Sequence, residues 1–479
     1  MSFVLVTVIF VPFIFFSINP LNPISKHALD QRLPLFKPPP RISFRGYDDG
    51  VLKKCDLSKG HWVPDLHGSR YTNSSCTTIP DSKNCFRHGR SDRDFPNWRW
   101  KPEKCVLPRF DPNTFLEFVK GKKLGFIGDS VARNHMESLL CLLSKVETPV
   151  DKYKDSEDRN RIWYFPNHDF TLTITWTKFL VHDEERMING SLSGTFNLYL
   201  HKIDEAWSKE LPTLDYVIIS DAHWFFRPVY LHDSTRVVGC VYCNAPNVTD
   251  YGVGFAVKLA LRSALKHINN CKNCKARVTL IRTFSPAHFE DGGWNTGGRC
   301  NRTSPLSESD INMSGPEWEL RSLQMKEIEK ARMEGGKLGK RFGVLDVTRA
   351  MMMRPDGHPG EFWGNKWMKG YNDCVHWCMP VSASVAKALA CRLSVAEALA
   401  CVAAVIRDFL GNIVGEDSLI PATVGLSLDQ KNAKRSILTS SEKAFYPSPF
   451  LTFPGKETAS TETSKEEDLE RKLDGMARN

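Results

Sequence analysis

The 479-residue sequence has no block of lysine and arginine of the kind that nucleic-acid-binding arms carry, although its formal net charge is +9. It also lacks a Gly-rich phosphate loop, so no pattern marks a site for the phosphates of a nucleotide or of coenzyme A. A G-x-S-x-G nucleophile elbow is likewise absent. We therefore expect no nucleic-acid partner, while the apolar content of 41% indicates a globular protein with a core.

Residues 3–18, FVLVTVIFVPFIFFSI, are uncharged and almost wholly apolar. The stretch is shorter than the roughly 20 residues of a membrane-spanning helix, and no basic residue precedes it, as one would in a cleaved signal peptide. We predict a targeting segment over residues 1–20, either a signal-anchor or a cleaved signal. A Pro-rich stem follows over residues 21–54.

Fourteen cysteines accompany this apolar N-terminus, which favours an oxidising compartment and disulfide bonds. The pairs CVYC (Cys240, Cys243) and CKNC (Cys271, Cys274) fit either disulfides or a Cys₄ zinc site. Since thiols oxidise in a secretory lumen, we expect disulfides and no bound metal. Five N-x-Ser/Thr sequons are compatible with glycosylation there, at Asn73, Asn189, Asn247, Asn301 and Asn312.

The pattern along the chain predicts an α/β protein with a doubly wound, mainly parallel sheet. Residues 55–108 lack periodicity and form a Cys-rich, loop-rich N-terminal layer. From Lys122 onward, within a catalytic domain placed at residues 109–380, short apolar segments alternate with amphipathic ones. The predicted strands are KLGFIG, FTLTITW, DYVIIS, ARVTLIRTF and RFGVLDVT, and the predicted helices begin at Ser130, Gly254 and Pro316.

The stretch LGFIGDSVARNH places Ser130 directly after the first of these strands and at the start of a helix that it can cap. A serine nucleophile needs a base, and the base needs a third group to orient it. His376 in YNDCVHWCMP can be the base, because Asp373 three residues earlier lies on the same side of a helical turn. In RPDGHP, Asp356 and His358 are two residues apart, which favours a loop near the site.

Further motifs carry a resemblance to a known family. CDLSKGHWVPD, GRSDRDFPNWRWKPEKC, GDSVARN, RTFSPAHFEDGGWNTGGRC and the D-x-x-H of NDCVHWC follow one another between residue 55 and about residue 380. The sequence thereby resembles the plant trichome birefringence-like family of Golgi polysaccharide O-acetyltransferases, related to the GDSL/SGNH esterases. SDAHWFFRPVYL with GCVYCNAPNVTDYG is most similar to the xyloglucan-acetylating branch.

The resemblance implies an SGNH-hydrolase-like fold with Ser130 as nucleophile, His376 as general base and Asp373 as its orienting group. An acetyl group, from acetyl-CoA or an acetylated intermediate, would pass through Ser130 to a hydroxyl of a cell-wall polysaccharide, with no bound cofactor. The resemblance also implies a single-pass Golgi membrane protein with a luminal catalytic domain, or alternatively a secreted protein. The oligomeric state stays open.

Other residues are candidates for the oxyanion hole or for substrate binding. The N–H of Ser130 can stabilise an oxyanion, and Asn295 with Gly297 can add donors or form a plain Gly-rich turn. Arg133 can hold an acyl oxygen or form a surface salt bridge, and Trp224 and Trp294 can stack on sugar rings or pack in the core. The complete set is Gly128, Asp129, Arg133, Asn134, His223, Trp224, Trp294, Asn295 and Gly297.

The resemblance further suggests disulfides between the N-terminal layer and the core. They would join Cys55 to Cys105, Cys76 to Cys141, and Cys85 to a cysteine of DCVHWC, which is Cys374 or Cys378; Cys300 is a further candidate. A bond to DCVHWC would make catalysis sensitive to reduction.

After Pro380 the sequence departs from the family pattern. Residues 381–429 are Ala-rich and predicted to be a helical tail, and residues 430–479 are polar and expected to be disordered. Two other functions therefore stay open beside the transferase. One is a carbohydrate acetyl esterase with the same triad, and the other is a catalytically impaired, polysaccharide-binding homologue.

Overall fold

The computed structural model describes residues 56–65, 67–104, 107, 109–234, 236–276, 278–364 and 370–380. The predicted targeting segment, the Pro-rich stem, the two tail segments and the pair Cys55 and Cys105 lie outside the described residues. Within the described ranges, no helix combines the length and apolar character needed to cross a bilayer.

Thirteen strands and six α-helices make up the described chain. In order they are β1 (Gly60–Pro64), β2 (Trp98–Pro102), α1 (Pro112–Phe118), β3 (Lys123–Gly128), α2 (Ser130–Leu143), β4 (Val150–Lys154), β5 (Arg161–Phe165), β6 (Phe170–Trp176), β7 (Val181–Ile188), β8 (Ser191–Ile203), α3 (Glu205–Ser208), β9 (Tyr216–Ser220), β10 (Val229–Asp233), β11 (Arg236–Val241), α4 (Gly252–Asn270), β12 (Val278–Arg282), α5 (Pro316–Gly336), β13 (Phe342–Leu345) and α6 (Thr348–Met352).

The central sheet has seven strands in the order β13-β12-β9-β3-β6-β5-β4. The five strands from β13 to β6 are parallel, whereas β5 and β4 add an antiparallel edge. All five residues of β9 and of β12 are buried, as expected of parallel strands covered on both faces. The predicted α/β class with a mainly parallel sheet is confirmed, and the predicted strands correspond to β3, β6, β9, β12 and β13.

A second sheet, which the sequence pattern does not predict, has the order β11-β10-β8-β7. Along β8 buried and less buried residues alternate, so Phe196, Leu198 and Leu200 turn to one face. On that face they join Phe255 and Leu259 of α4 in one hydrophobic cluster. The second sheet therefore closes its core against α4.

Disulfides attach the N-terminal layer, in which β1 pairs with β2, to the α/β core. Cys76 is bonded to Cys141 of α2, as the resemblance implied, and Cys85 is bonded to Cys378. A third bond joins Cys300 to Cys374. The two C-x-x-C units each close on themselves, Cys240 with Cys243 and Cys271 with Cys274, and so present no thiolates to zinc.

Candidate active site

Glycine at position 128 lets β3 and β9 converge at their carboxyl ends. Gly128 has φ +149°, and a Cβ added there would lie 1.8 Å from the carbonyl oxygen of Ser220. Only glycine fits this close approach without moving the backbone. The chain then turns directly into α2, which brings Ser130 to the edge of the sheet where parallel strands end.

Asp129 is the N-cap of α2, so the prediction that Ser130 caps its own helix is wrong. One carboxylate oxygen accepts the N–H groups of Val131 (2.9 Å) and Ala132 (3.4 Å), and the other accepts those of Ala222 (3.3 Å) and His223 (3.1 Å). Burial raises the pKa of this carboxyl, but the hydrogen bonds and charge of His223 outweigh burial and hold the pKa well below its usual range. Asp129 thus fastens the start of α2 to the segment after β9.

Ser130 is the first residue of α2 and is half-buried, so its hydroxyl can meet a substrate. As the first helical residue, it has an N–H without a partner inside the helix. That N–H and the positive end of the helix dipole favour a negative oxygen beside the hydroxyl. The local geometry suits an attacking serine with an oxyanion donor on the same residue.

Asp373 and His376 form a compact turn. Nδ1 of His376 donates to Oδ2 of Asp373 (2.8 Å), while Oδ1 accepts the N–H groups of Val375 (3.1 Å) and His376 (2.9 Å). Burial raises the pKa of Asp373, but the charge and hydrogen bonds of His376 prevail and keep that pKa well below its usual range. Since the Nδ1 proton faces Asp373, Nε2 is left as the acceptor that a general base requires.

Asn134 links α2, the helix that begins with Ser130, to the turn that contains His376. It lies four residues after Ser130, on the same face of α2. Its Oδ1 accepts the N–H of Trp377 (2.7 Å), and its Nδ2 donates to the carbonyl oxygen of Trp377 (3.3 Å). Because Trp377 follows His376 directly, this clamp fixes the base against the face of α2 that carries the nucleophile.

Comparison with known proteins gives two family matches along this chain. Residues 107–381 match PC-Esterase, described as the GDSL/SGNH-like acyl-esterase family found in Pmr5 and Cas1p, and residues 53–106 match the PMR5 N-terminal domain. The chain belongs to the PC-Esterase family. The resemblance inferred from the motifs is thereby confirmed.

Several curated relatives of this PC-Esterase chain are similar over most of their length. Xyloglucan O-acetyltransferase 4 of Populus trichocarpa is 64% identical over 78% of this chain and 86% of that protein. Xyloglucan O-acetyltransferase 2 of Arabidopsis thaliana is 60% identical over 68% of this chain and 79% of that protein. Protein trichome birefringence-like 20 of Arabidopsis thaliana is 42% identical over 68% of this chain and 69% of that protein.

Three of the residues predicted to contact an oxyanion or substrate, Gly128, Asp129 and Asn134, are buried. Gly128 and Asp129 are buried, and the four N–H groups bound to Asp129 occupy both of its oxygens. Asn134 is 1% exposed and its amide is used on Trp377. Burial and these hydrogen bonds keep all three residues from direct contact with a substrate.

Arg133 and Trp224 are engaged with protein groups. The Arg133 guanidinium contacts Glu137 (2.7 Å) and Asp158 (3.3 Å), so the salt-bridge alternative describes it. Trp224 packs edge-on against Trp176 and Phe179, and the Arg227 guanidinium lies over its ring, 3.9 Å from the ring centre. With its ring covered in this way, Trp224 offers no free platform for a sugar.

His223 lies beside Asp129 at the end of β9. Its Nε2 donates to the carbonyl oxygen of Ser285 (2.8 Å), its Nδ1 lies 3.4 Å from Asp129, and its ring stacks on Phe284. It therefore links the segments that follow β9 and β12. Both ring nitrogens of His223 are used in these contacts with Ser285 and Asp129.

Trp294, Asn295 and Gly297 lie in an exposed turn closed by hydrogen bonds from Thr296 and Gly298 to Gly293. The Gly-rich-turn alternative therefore describes Asn295 and Gly297. This exposed turn contacts the turn that contains Asp373 and His376, called the catalytic turn below, because Asn372 donates to the carbonyl oxygen of Gly298 (2.9 Å). Trp294 is 57% exposed and its ring contacts that of Tyr371, which is 39% exposed and is not among the candidate residues predicted from the sequence.

Two disulfides hold the catalytic turn, so we predict that removing Cys85–Cys378 impairs catalysis. The double variant Cys85→Ser/Cys378→Ser should lose about 3–5 kcal/mol of unfolding free energy and about 10-fold in kcat, because His376 loses part of its support. Chemical denaturation and initial rates of acetyl transfer measure the two effects.

Cys271→Ser/Cys274→Ser is the matched control for this prediction. That disulfide precedes β12, at the amino ends of the parallel strands, whereas Ser130 lies beyond their carboxyl ends. We expect its kcat to stay at the wild-type level. An equal loss of kcat in both double variants would contradict a specific role for the Cys85–Cys378 bond.

Proposed function

We propose that this chain transfers acetyl groups, through an acetyl-Ser130 intermediate, onto hydroxyl groups of xyloglucan. The observation that carries the proposal is the Asn134 clamp, which holds His376 and its Asp373 partner beside the N-terminus of α2. Relatives named xyloglucan O-acetyltransferases at 58–64% identity support the choice of polysaccharide.

In the first half-reaction, Oγ of Ser130 attacks the acetyl carbonyl carbon and Nε2 of His376 takes the hydroxyl proton. The carbonyl oxygen becomes an oxyanion, which the N–H of Ser130 stabilises. When the tetrahedral intermediate collapses, the bond to the donor group breaks and His376 passes its proton to that leaving group. Asp373 stabilises the imidazolium formed in between.

In the second half-reaction, an acceptor hydroxyl attacks acetyl-Ser130. His376 takes the proton of that hydroxyl, the acetyl–Oγ bond breaks, and Oγ recovers the proton from His376. Water in place of the sugar hydroxyl gives ester hydrolysis with identical residues. The difference between a transferase and an esterase therefore lies in how well the site binds the acceptor and excludes water.

Trp294 and Tyr371 form an exposed aromatic surface suited to the acceptor. Their ring centres are 6.5 Å apart with planes inclined by 34°, and Tyr371 precedes Asp373 by two residues. Trp363 donates from its indole N–H to the carbonyl oxygen of Tyr371 (3.0 Å), which holds the backbone of Tyr371 in place. Flat apolar rings beside the catalytic turn can stack on the sugar rings of an uncharged polysaccharide.

We predict that Trp294→Ala raises the acceptor KM for xyloglucan oligosaccharides about 10-fold, the equivalent of about 1.4 kcal/mol of ring contact. The rate at which a small acetyl ester acetylates Ser130 should stay unchanged, since that step needs no polysaccharide. Tyr153→Ala is the control, because Tyr153 is also exposed but lies on the edge strand β4. A lower acylation rate with an unchanged KM would place Trp294 in another role.

The acetyl donor and the cellular location belong to the same proposal. We place the described domain in the Golgi lumen, with acetyl-CoA or an acetylated carrier as donor. Support comes from the five disulfides among the described residues and from the exposure of the sequon asparagines Asn73, Asn189, Asn247, Asn301 and Asn312. Glycosidase treatment and protease protection of sealed microsomes test it, and an unglycosylated, protease-accessible domain would overturn it.

Incubating the purified full chain with an acetyl donor and with xyloglucan, xylan or mannan oligosaccharides tests the function directly. Mass spectrometry should show acetylated xyloglucan oligosaccharide and an acetyl group on Ser130, both absent in Ser130→Ala. Steady donor hydrolysis with no acetylated oligosaccharide would identify an esterase. Acetylation of xylan or mannan instead of xyloglucan would overturn the proposed acceptor.

A further inference from the structure

Two histidines, the buried His358 and the half-buried His288, contact each other beside the catalytic turn. Nδ1 of His288 is 2.7 Å from Nε2 of His358. The outer nitrogens face carbonyl oxygens, Nδ1 of His358 that of His376 (2.6 Å) and Nε2 of His288 that of Met352 (3.0 Å). The row of contacts thus ends on the backbone of the general base.

Counting protons along this row gives three protons for two rings. A carbonyl oxygen only accepts, so both outer nitrogens must carry a proton. Two neutral rings then have no proton left, and their inner nitrogens would meet as two lone pairs at 2.7 Å. A third proton, shared between Nδ1 of His288 and Nε2 of His358, satisfies all three contacts and gives the pair a single positive charge.

The surroundings act on this charge in both directions. Burial lowers the pKa of both rings, that of His288 to about 4. Positive charge nearby acts in the same direction and comes from Arg302, His376 and Arg90, whose guanidinium donates to the carbonyl oxygen of His358. The carboxylates of Asp356, Glu290 and Asp373 favour the charge, as does Trp377, whose ring centre is 4.2 Å from that of His358. The proton count decides the matter, because no arrangement of two neutral rings satisfies both carbonyls and the short nitrogen–nitrogen contact.

We propose that His288 and His358 share one extra proton and thereby act as positioning residues, which hold the carbonyl oxygen of His376 and so aim its imidazole at Ser130. Loss of that proton at higher pH breaks one of the three contacts and lets the catalytic turn move. The proposal rests on the proposed acyl transfer, since it assigns these rings a part in aiming the same base.

Amide substitutions at the two positions test the proposal, because each amide nitrogen can replace one ring nitrogen. In His358→Asn the amide can take the place of Nδ1 and still donate to His376, whereas in His358→Gln it takes the place of Nε2 and that bond is lost. We expect kcat to fall about 10- to 100-fold in His358→Gln and within about 5-fold in His358→Asn, with acceptor KM unchanged in both. His288→Asn supplies a donor to His358 without a titrating proton, so the alkaline fall in kcat that we expect of the wild type should be absent from this variant.

The measurement uses the full chain and follows kcat against pH, together with melting temperature. Acetylation of Ser130 by a small acetyl ester, read by intact mass, is followed in parallel and needs no polysaccharide. If Ser130 acetylation obeys the expected order but no oligosaccharide is acetylated, the proposed function fails and the histidine proposal stands. Equal losses in His358→Asn and His358→Gln that follow melting temperature, or an unchanged alkaline fall in His288→Asn, would overturn the histidine proposal.

Discussion

Asp373→Asn is expected to lower kcat for acetyl transfer by about 10³- to 10⁴-fold without unfolding the protein. Oδ1 of the new amide can still accept the N–H groups of Val375 and His376, so the backbone turn is retained. The amide NH₂ would replace Oδ2 opposite Nδ1 of His376. Since two donors repel, the imidazole takes the other tautomer, and its Nε2 then carries a proton and cannot accept the one from Ser130.

Steady-state kinetics with melting temperature as a reference checks this prediction, and Ser130→Ala gives the rate without a nucleophile. Asp373→Asn should approach that rate while KM and melting temperature stay near the wild-type values. A loss of less than 10-fold would show that the tautomer of His376 is not held by Asp373. A large fall in melting temperature would show instead that the carboxylate mainly stabilises the turn.

The sequence predicted the parts of the fold that depend on local pattern. Strands β3, β9 and β12 are short apolar runs, and the helix predicted to begin at Ser130 corresponds to α2 (Ser130–Leu143). The second sheet was missed because its strands are only partly buried and owe their apolar face to α4, a contact that no local pattern reveals. The period of hydrophobic residues predicts whether a segment forms a strand or a helix, whereas the element against which it packs depends on the tertiary structure.

The same division holds for the candidate site. The D-x-x-H spacing predicted that Asp373 and His376 can touch, and they do. The Asn134 clamp could not be predicted in this way, because Asn134 and Trp377 are 243 residues apart and an asparagine after a nucleophile serine suits many roles. For Trp224 the residue type alone was misleading. A tryptophan suggested a platform for a sugar ring, but the Arg227 guanidinium covers that ring in the structure.

The sequence around His358 predicted its location but not its contacts. RPDGHP was expected to be a loop near the site, and Pro355–Gly357 is a short 3₁₀-helix whose following residue contacts His376. Arg354 binds Asp356 there with both side chains buried, and Arg90 of the N-terminal layer donates to the carbonyl oxygen of Asp356 (2.6 Å). Buried charges are tolerated only when they are paired. The buried pair of Arg354 and Asp356 therefore holds this loop, and with it His358, in one position.

Asp129→Asn is expected to cost about 3 kcal/mol of unfolding free energy, because the carboxylate serves backbone donors on both sides. Whichever way the new amide turns, its NH₂ faces either the N–H groups of Val131 and Ala132 or those of Ala222 and His223. Two buried donors then lose their acceptor, and the start of α2 moves away from the segment after β9. We expect kcat to fall with stability, since Ser130 is the next residue.

Chemical denaturation at several pH values checks this prediction, with Asp111→Asn as the matched control. Asp111 caps α1 in the same way, but its side chain bonds only to Asn113 and Thr114 of its own helix, so an amide there should change stability by less than about 0.5 kcal/mol. The pH dependence supplies a second check. Because the pKa of folded Asp129 lies below that of an unfolded aspartate, about 3.9, the charged carboxylate stabilises the fold above that pH, and this stabilisation is lost as pH falls through the folded pKa. The stability difference between wild type and Asp129→Asn should therefore hold from neutral pH to about pH 5 and shrink below about pH 4. A difference that stays constant into acid, or one no larger than that of Asp111→Asn, would show that the charge on Asp129 does not join α2 to the segment after β9.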